Sequence, residues 1–153
     1  MDIKVMAEVF RLGIAIGYFT IKDVIDWADA TIEKLEHPPV ELIDISLSPK
    51  AKPIDICSLL HSFYGSPYND SPLQILLGML SCEYTSSKNL GEVASMLFRL
   101  IDFIQLEERA EWIINELLHL SDAYYLAKQK IYGDLQAVEN DIKKFLLLFL
   151  VEK

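Results

Sequence analysis

The sequence predicts an all-α, single-domain bundle of about eight helices over residues 1–153, with no sheet. Three observations predict it. Apolar residues recur three or four positions apart through most of the chain, the spacing that lines one face of a helix. Glycine and proline, six of each, are too few for a strand-and-turn protein. A chain of 153 residues, 52% apolar and 24% charged, has the material for one buried core and lies outside the range of disordered sequences.

Residues 2–17 read as a first helix, with Ile3, Val5, Met6, Val9, Phe10, Leu12, Ile14 and Ile16 leaving little polar surface. Gly13 and Gly17 weaken its end, and Gly17 is placed to close it in the left-handed conformation. Thr20 and Asp23 form a capping pair for a second helix. His37-Pro38-Pro39 stops that helix, because a residue before proline avoids the helical region and proline lacks an amide donor. Val40 to Leu47 reads as a short third helix with Leu42, Ile43 and Leu47 inward. After the loop Ser48–Pro53, a fourth helix runs to about Phe63 with Pro53 in its first turn. Tyr64–Asp70 has turn chemistry, and Ser71-Pro72 then opens a helix to about Tyr84. A further helix spans about Leu90 to Ile104. From Glu107 the apolar spacing is sustained to Phe149, too long for one helix in a domain of this size. The break falls at Tyr132-Gly133-Asp134, with Gly133 ending one helix and Asp134 capping the next. Val138, Ile142, Phe145 and Phe149 should be buried.

The net charge of −9 is concentrated in two segments. Residues 19–49 hold seven acids and two lysines, and residues 102–122 hold six acids and one arginine. In the second helix Ile21, Val24, Ile25, Ala28, Ile32 and Leu35 make one apolar stripe. Asp23, Asp26, Asp29, Glu33 and Glu36 gather in a separate sector. Like charges at this spacing gain nothing from each other and must face water or a cationic partner. Such a surface repels nucleic-acid phosphates and anionic lipid and attracts basic protein. Solubility alone would also account for it. Glu107, Glu108 and Glu111 form the second acidic candidate. Trp27 and Trp112 border acidic stretches, where aromatic residues serve either as core edges or as binding anchors. Tyr64 and Tyr68, in a loop with Gly65 and Pro67, are candidates for reaching a partner.

Little else carries chemistry. His37, His61 and His119 are isolated, no HExxH or Cys–His spacing occurs, and no nucleophile elbow or phosphate-cradling glycine loop is present. Neither a metal nor a cofactor is expected. Cys57 and Cys82 read as free, buried thiols in a reducing compartment. The charged residues Asp2, Lys4, Glu8 and Arg11 break the first apolar run, and Phe145–Val151 is too short to span a bilayer, so a cytoplasmic location is expected.

Three segments resemble a known family. They are Trp27-Ala28-Asp29 with Ile32 ahead of Pro38-Pro39, then Leu42 to Leu47, and then Tyr132-Gly133-Asp134-Leu135 with Val138 and Phe145-Leu146. Together they resemble the small all-helical immunity proteins of bacteria, cytoplasmic antidotes to contact-dependent or polymorphic toxins. The resemblance implies a non-enzymatic protein that binds one toxin domain, often a nuclease, and covers its active or substrate-binding surface. It carries over no functional residue, since the matching segments are structural. An acidic adaptor domain with another target, and an enzyme with a carboxylate site, are the alternatives. The expected partner is a toxin with a basic surface, with no nucleic acid and no membrane involved.

Overall fold

The computed structural model describes residues 2–65, 71–86, 90–103 and 111–150. These residues form eight α-helices and no strand, so the chain is all-α. They are α1 (Ile3–Ala15), α2 (Ile21–Lys34), α3 (Val40–Ser46), α4 (Pro53–Tyr64), α5 (Ser71–Ser86), α6 (Leu90–Phe103), α7 (Glu111–Lys128) and α8 (Leu135–Leu147). The chain divides into two compact units, Met1–Pro72 and Leu73–Lys153.

In the first unit α1 lies along α4, while α3 joins α2 to α4. Ala7 and Phe10 of α1 meet Val24 and Ala28 of α2, Leu42 and Ile45 of α3, and Ile56, Leu60 and Phe63 of α4. The Phe10 ring sits 4.6 Å from Phe19 and 5.0 Å from Trp27, centroid to centroid, which draws the α1–α2 turn onto the core. The end of α1 shows how the sequence sets that turn. Gly17 takes φ 84°, the amide of Tyr18 donates to Gly13 O, and that of Gly17 donates to Ile14 O. This pair of reversed bonds satisfies carbonyls that the last helical turn leaves open. Thr20 and Asp23 then form the reciprocal capping box, each side chain accepting the other's backbone N–H.

Two details depart from the sequence reading. Helix α2 ends at Lys34 rather than at the prolines, because Leu35 turns to an extended conformation and lays its side chain against the core. In α3 the inward residues are Leu42 and Ile45, both fully buried, whereas Ile43 and Leu47 are 37% and 74% exposed. Seven residues give α3 fewer than two turns, so only an i, i+3 pair can point at the core, and Leu42 and Ile45 are that pair.

In the second unit α7 lies against both α6 and α8. Its buried side chains are mostly aliphatic along α5 to α7, including Leu76, Leu77, Leu80, Leu97, Leu100, Ile113 and Leu117, with Ser81 and Tyr84 of α5 buried among them. Towards the end of α8 they become aromatic. Val138, Ile142, Phe145 and Phe149 are buried, as their spacing predicts. Phe145, Phe149 and Trp112 form one ring cluster, with Trp112 stacked on Phe149 at 5.8 Å. A Cβ on Gly78 would stand 2.6 Å from the Phe149 carbonyl oxygen, so α5 needs glycine there to let the C-terminal backbone approach. Tyr84 of α5 donates its hydroxyl to Glu139 O at 3.1 Å.

The end of α7 also departs from the sequence reading. The break does fall before Asp134, whose side chain caps α8 by accepting from the Ala137 amide. The residue that closes α7, however, is Lys130 at φ 59°, three residues before Gly133, which is itself left-handed at φ 86°. The Ile131 amide donates to Leu126 O and the Lys130 amide to Ala127 O, the same bond pattern as at Gly17. Among the described residues no helix is long and apolar enough to cross a membrane.

Candidate functional site

The acidic residues of α2, Asp23, Asp26, Asp29 and Glu33, are exposed, and so is Glu36 just past the end of the helix, outside the sector that helical spacing predicted for it. These residues are not equivalent. Asp23 is committed to the capping box, accepting the Thr20 amide at 2.9 Å. Asp26 accepts from Lys22 Nζ at 2.8 Å, and this hydrogen bond and charge hold the Lys22 ammonium above its ordinary range. Asp29 accepts the hydroxyl of Ser46 and so ties α2 to α3. Glu33 and Glu36 make no hydrogen bond or ion pair among the described residues. Glu36 stands beyond the helix, since α2 ends at Lys34. Three carboxylates therefore serve the local fold, and two are left facing water at the C-terminal end of the row. On α3, Glu41 and Asp44 are exposed as well, extending the acidic surface past the Ser46–Asp29 link.

The other candidates divide differently. Tyr64 is the last residue of α4 rather than a loop residue, and it is 7% exposed. Its burial follows from α4 continuing one residue further, to a left-handed Gly65 at φ 78°. Tyr68, Glu107 and Glu108 lie outside the described residues. Glu111 is exposed in the first turn of α7, where a carboxylate complements the open amides of the helix start. Beside it Trp112 is 51% exposed. It lines a groove of about 390 Å³ between α7 and α8, together with the buried Leu120 and Phe145 and the polar Glu116, His119, Asp141 and Lys144.

One polar cluster escaped the sequence reading. Glu8 of α1 is 5% exposed, within the α1–α4 contact. Its carboxylate accepts from Arg11 Nε, and His61 Nδ1 of α4 lies 3.5 Å from its second oxygen. Cys57, one turn before His61, directs its thiol to the Arg11 carbonyl at 3.9 Å. The signal was present: Glu8 and Arg11 stand three apart on an apolar helix, and Cys57 and His61 four apart on another. Burial pushes the Cys57 thiol up, with Glu8 adding to the shift and Arg11 opposing it. A nucleophilic cysteine needs the opposite shift. The cysteines also correct the expectation of buried thiols, for Cys57 is half-buried and Cys82 exposed. Among the described residues no group of three or more His, Cys, Asp or Glu side chains could hold a metal ion.

Comparison of the chain with protein-family models, with curated proteins and with solved structures finds no match.

Proposed function

We propose that this chain is a non-enzymatic binding protein that neutralises a bacterial toxin domain by laying its acidic α2–α3 surface over the toxin's cationic active or substrate-binding surface. The observation that carries the reading is the pair Glu33 and Glu36, exposed carboxylates with no bonding role among the described residues. Capping, ion pairing and the tie to α3 explain Asp23, Asp26 and Asp29 without a partner, and nothing of that kind explains these two. Nuclease and other phosphate-handling domains require cationic surfaces, which an acidic surface can occupy and find quickly by electrostatic steering. The resemblance to immunity proteins points the same way. The enzyme reading has less behind it, since in the buried set of Glu8, His61 and Cys57 burial pushes the thiol up, away from a nucleophilic thiolate.

The test is co-expression with a toxin domain, sought first in the gene adjacent to this one, alongside association kinetics at several salt concentrations. Glu33→Lys/Glu36→Lys should leave the fold intact, slow association, flatten its salt dependence and reduce protection of the cell. Full protection with an unchanged, salt-insensitive on-rate would remove the acidic surface from the mechanism.

A further inference from the structure

The outward side of α3 carries aliphatic residues that the core does not use. Val40 is 69% exposed, Ile43 37% and Leu47 74%. At 3.6 residues per turn these three fall within about 60° of one another and form a stripe along the helix. Single exposed aliphatics are ordinary on a protein surface, whereas contiguous apolar patches mark interaction sites. Helix α3 is thus apolar on two sides, with Leu42 and Ile45 inward and Val40, Ile43 and Leu47 outward.

One long side of this stripe is bordered by acids of α3 itself, and the other by Ser46 with the acids of α2 beyond it. Ser46 lies about 90° round the helix from the stripe's centre, and Asp44 about 70° round the other way. Ser46 donates its hydroxyl to Asp29, which brings the edge of the α2 acidic row alongside. One helical turn on, Glu33 shares the face of Asp29 and is exposed. On the other side Asp44 and Glu41 are exposed. An aliphatic ridge between two lines of carboxylates complements a helix with an apolar face and cationic flanks.

We infer that the Val40–Ile43–Leu47 stripe is the apolar anchor of a docking surface for a cationic amphipathic helix of a partner protein. The inference rests on the reading that this acidic surface meets a basic partner, and adds the residues that hold the partner once steered. Charge decides the occupant. A second copy of this chain would bring the same carboxylate borders against these, and an anionic membrane would be repelled by them. A partner with lysine or arginine flanks meets opposite charge on both sides while its apolar face covers the stripe, the arrangement of helix-in-groove recognition.

The experiment titrates the full chain with a synthetic amphipathic helix of leucine and lysine, and with its leucine–glutamate counterpart, by calorimetry and amide shift mapping at low and high salt. The lysine helix should bind with shifts centred on α3 and the edge of α2, and the glutamate helix should not bind. Val40→Gln/Leu47→Gln, which leaves every charge in place, should weaken binding roughly tenfold or more with the salt dependence unchanged. Glu33→Lys/Glu36→Lys should weaken it and flatten the salt dependence. Circular dichroism and melting temperature verify the fold of each variant, and Ile43→Gln alone replaces the double variant if that one unfolds. Unchanged affinity in the stripe variants, with loss in the charge reversals, overturns the anchor and leaves the acidic-surface reading standing. Unchanged affinity in the charge reversals overturns both. Self-association of the free chain, or binding to phosphatidylglycerol vesicles, that depends on Val40 and Leu47 assigns the stripe to those occupants and overturns the inference.

Discussion

The first unit places a carboxylate in its α1–α4 contact, and the second places three aromatic rings where α7 meets α8, as the first does only at the α1–α2 turn with Phe10, Phe19 and Trp27. Glu8 is buried between α1 and α4 beside Arg11 and His61, whereas Trp112, Phe145 and Phe149 join the start of α7 to the end of α8. The two units share a helix ending, the reversed bond pair that closes α1 and α7, yet one uses glycine at the left-handed position and the other uses lysine. The difference separates two sources of order. Ring packing resists any loss of volume, because a buried void has lost its contacts outright. A buried ion pair contributes less to stability, and here both partners of Glu8 keep some exposure to water.

The largest expected effect tests the aromatic side. Phe145→Ala should destabilise the protein by about 3–5 kcal/mol in urea unfolding, from lost burial plus the cavity left between Trp112 and Phe149. A loss below ~1 kcal/mol would mean that α8 does not depend on its rings. Next comes the polar side. Glu8→Ala should cost about 1–3 kcal/mol, less than the ring, because Arg11 and His61 both retain access to water once the carboxylate is gone. Parity between the two variants would erase the contrast between the units.

A pH experiment sharpens it further. Burial pushes the Tyr84 phenol up to about 12, with the negative charge of Glu139 adding to the shift. The folded state therefore favours the neutral phenol relative to the unfolded chain, whose tyrosines titrate near 10. That contribution is fully present below about pH 10 and is lost as pH rises towards about 12. Tyr84→Phe should cost about 0.5–1.5 kcal/mol at neutral pH through the lost bond to Glu139 O. It should also flatten the alkaline decline of melting temperature relative to the parent. An identical decline in both would place the alkaline transition elsewhere.

The smallest expected effect concerns the two helix ends. Lys130→Gly should stabilise by up to about 1 kcal/mol, since glycine removes the cost of a left-handed side-chain-bearing residue. Gly17→Ala should do the reverse. If Lys130→Gly is neutral or harmful, contacts of the lysine side chain offset its backbone cost, and the two ends differ in more than the residue at the turn.

The sequence by itself determined the helices, because apolar spacing, caps and prolines act within a few residues. Thr20 with Asp23, Pro53 and Asp134 each stand at the start of the helix they were expected to open. It also made the acidic row on α2 visible, since helical periodicity alone gathers those positions on one side. Only the tertiary structure decided which way a short helix faces. In α3 five aliphatic residues share seven positions and the next, and periodicity cannot choose the inward pair without knowing where α2 and α4 lie. The same holds for Tyr64, whose burial depends on one further helical residue, and for Glu8, which meets His61 only because α1 lies along α4. The roles of Asp29 and of Glu33 likewise parted only when Ser46, seventeen residues beyond Asp29, came within bonding reach of it. Spacing along one helix records which residues share a face. What that face meets depends on partners far away in sequence, whose positions no local signal contains.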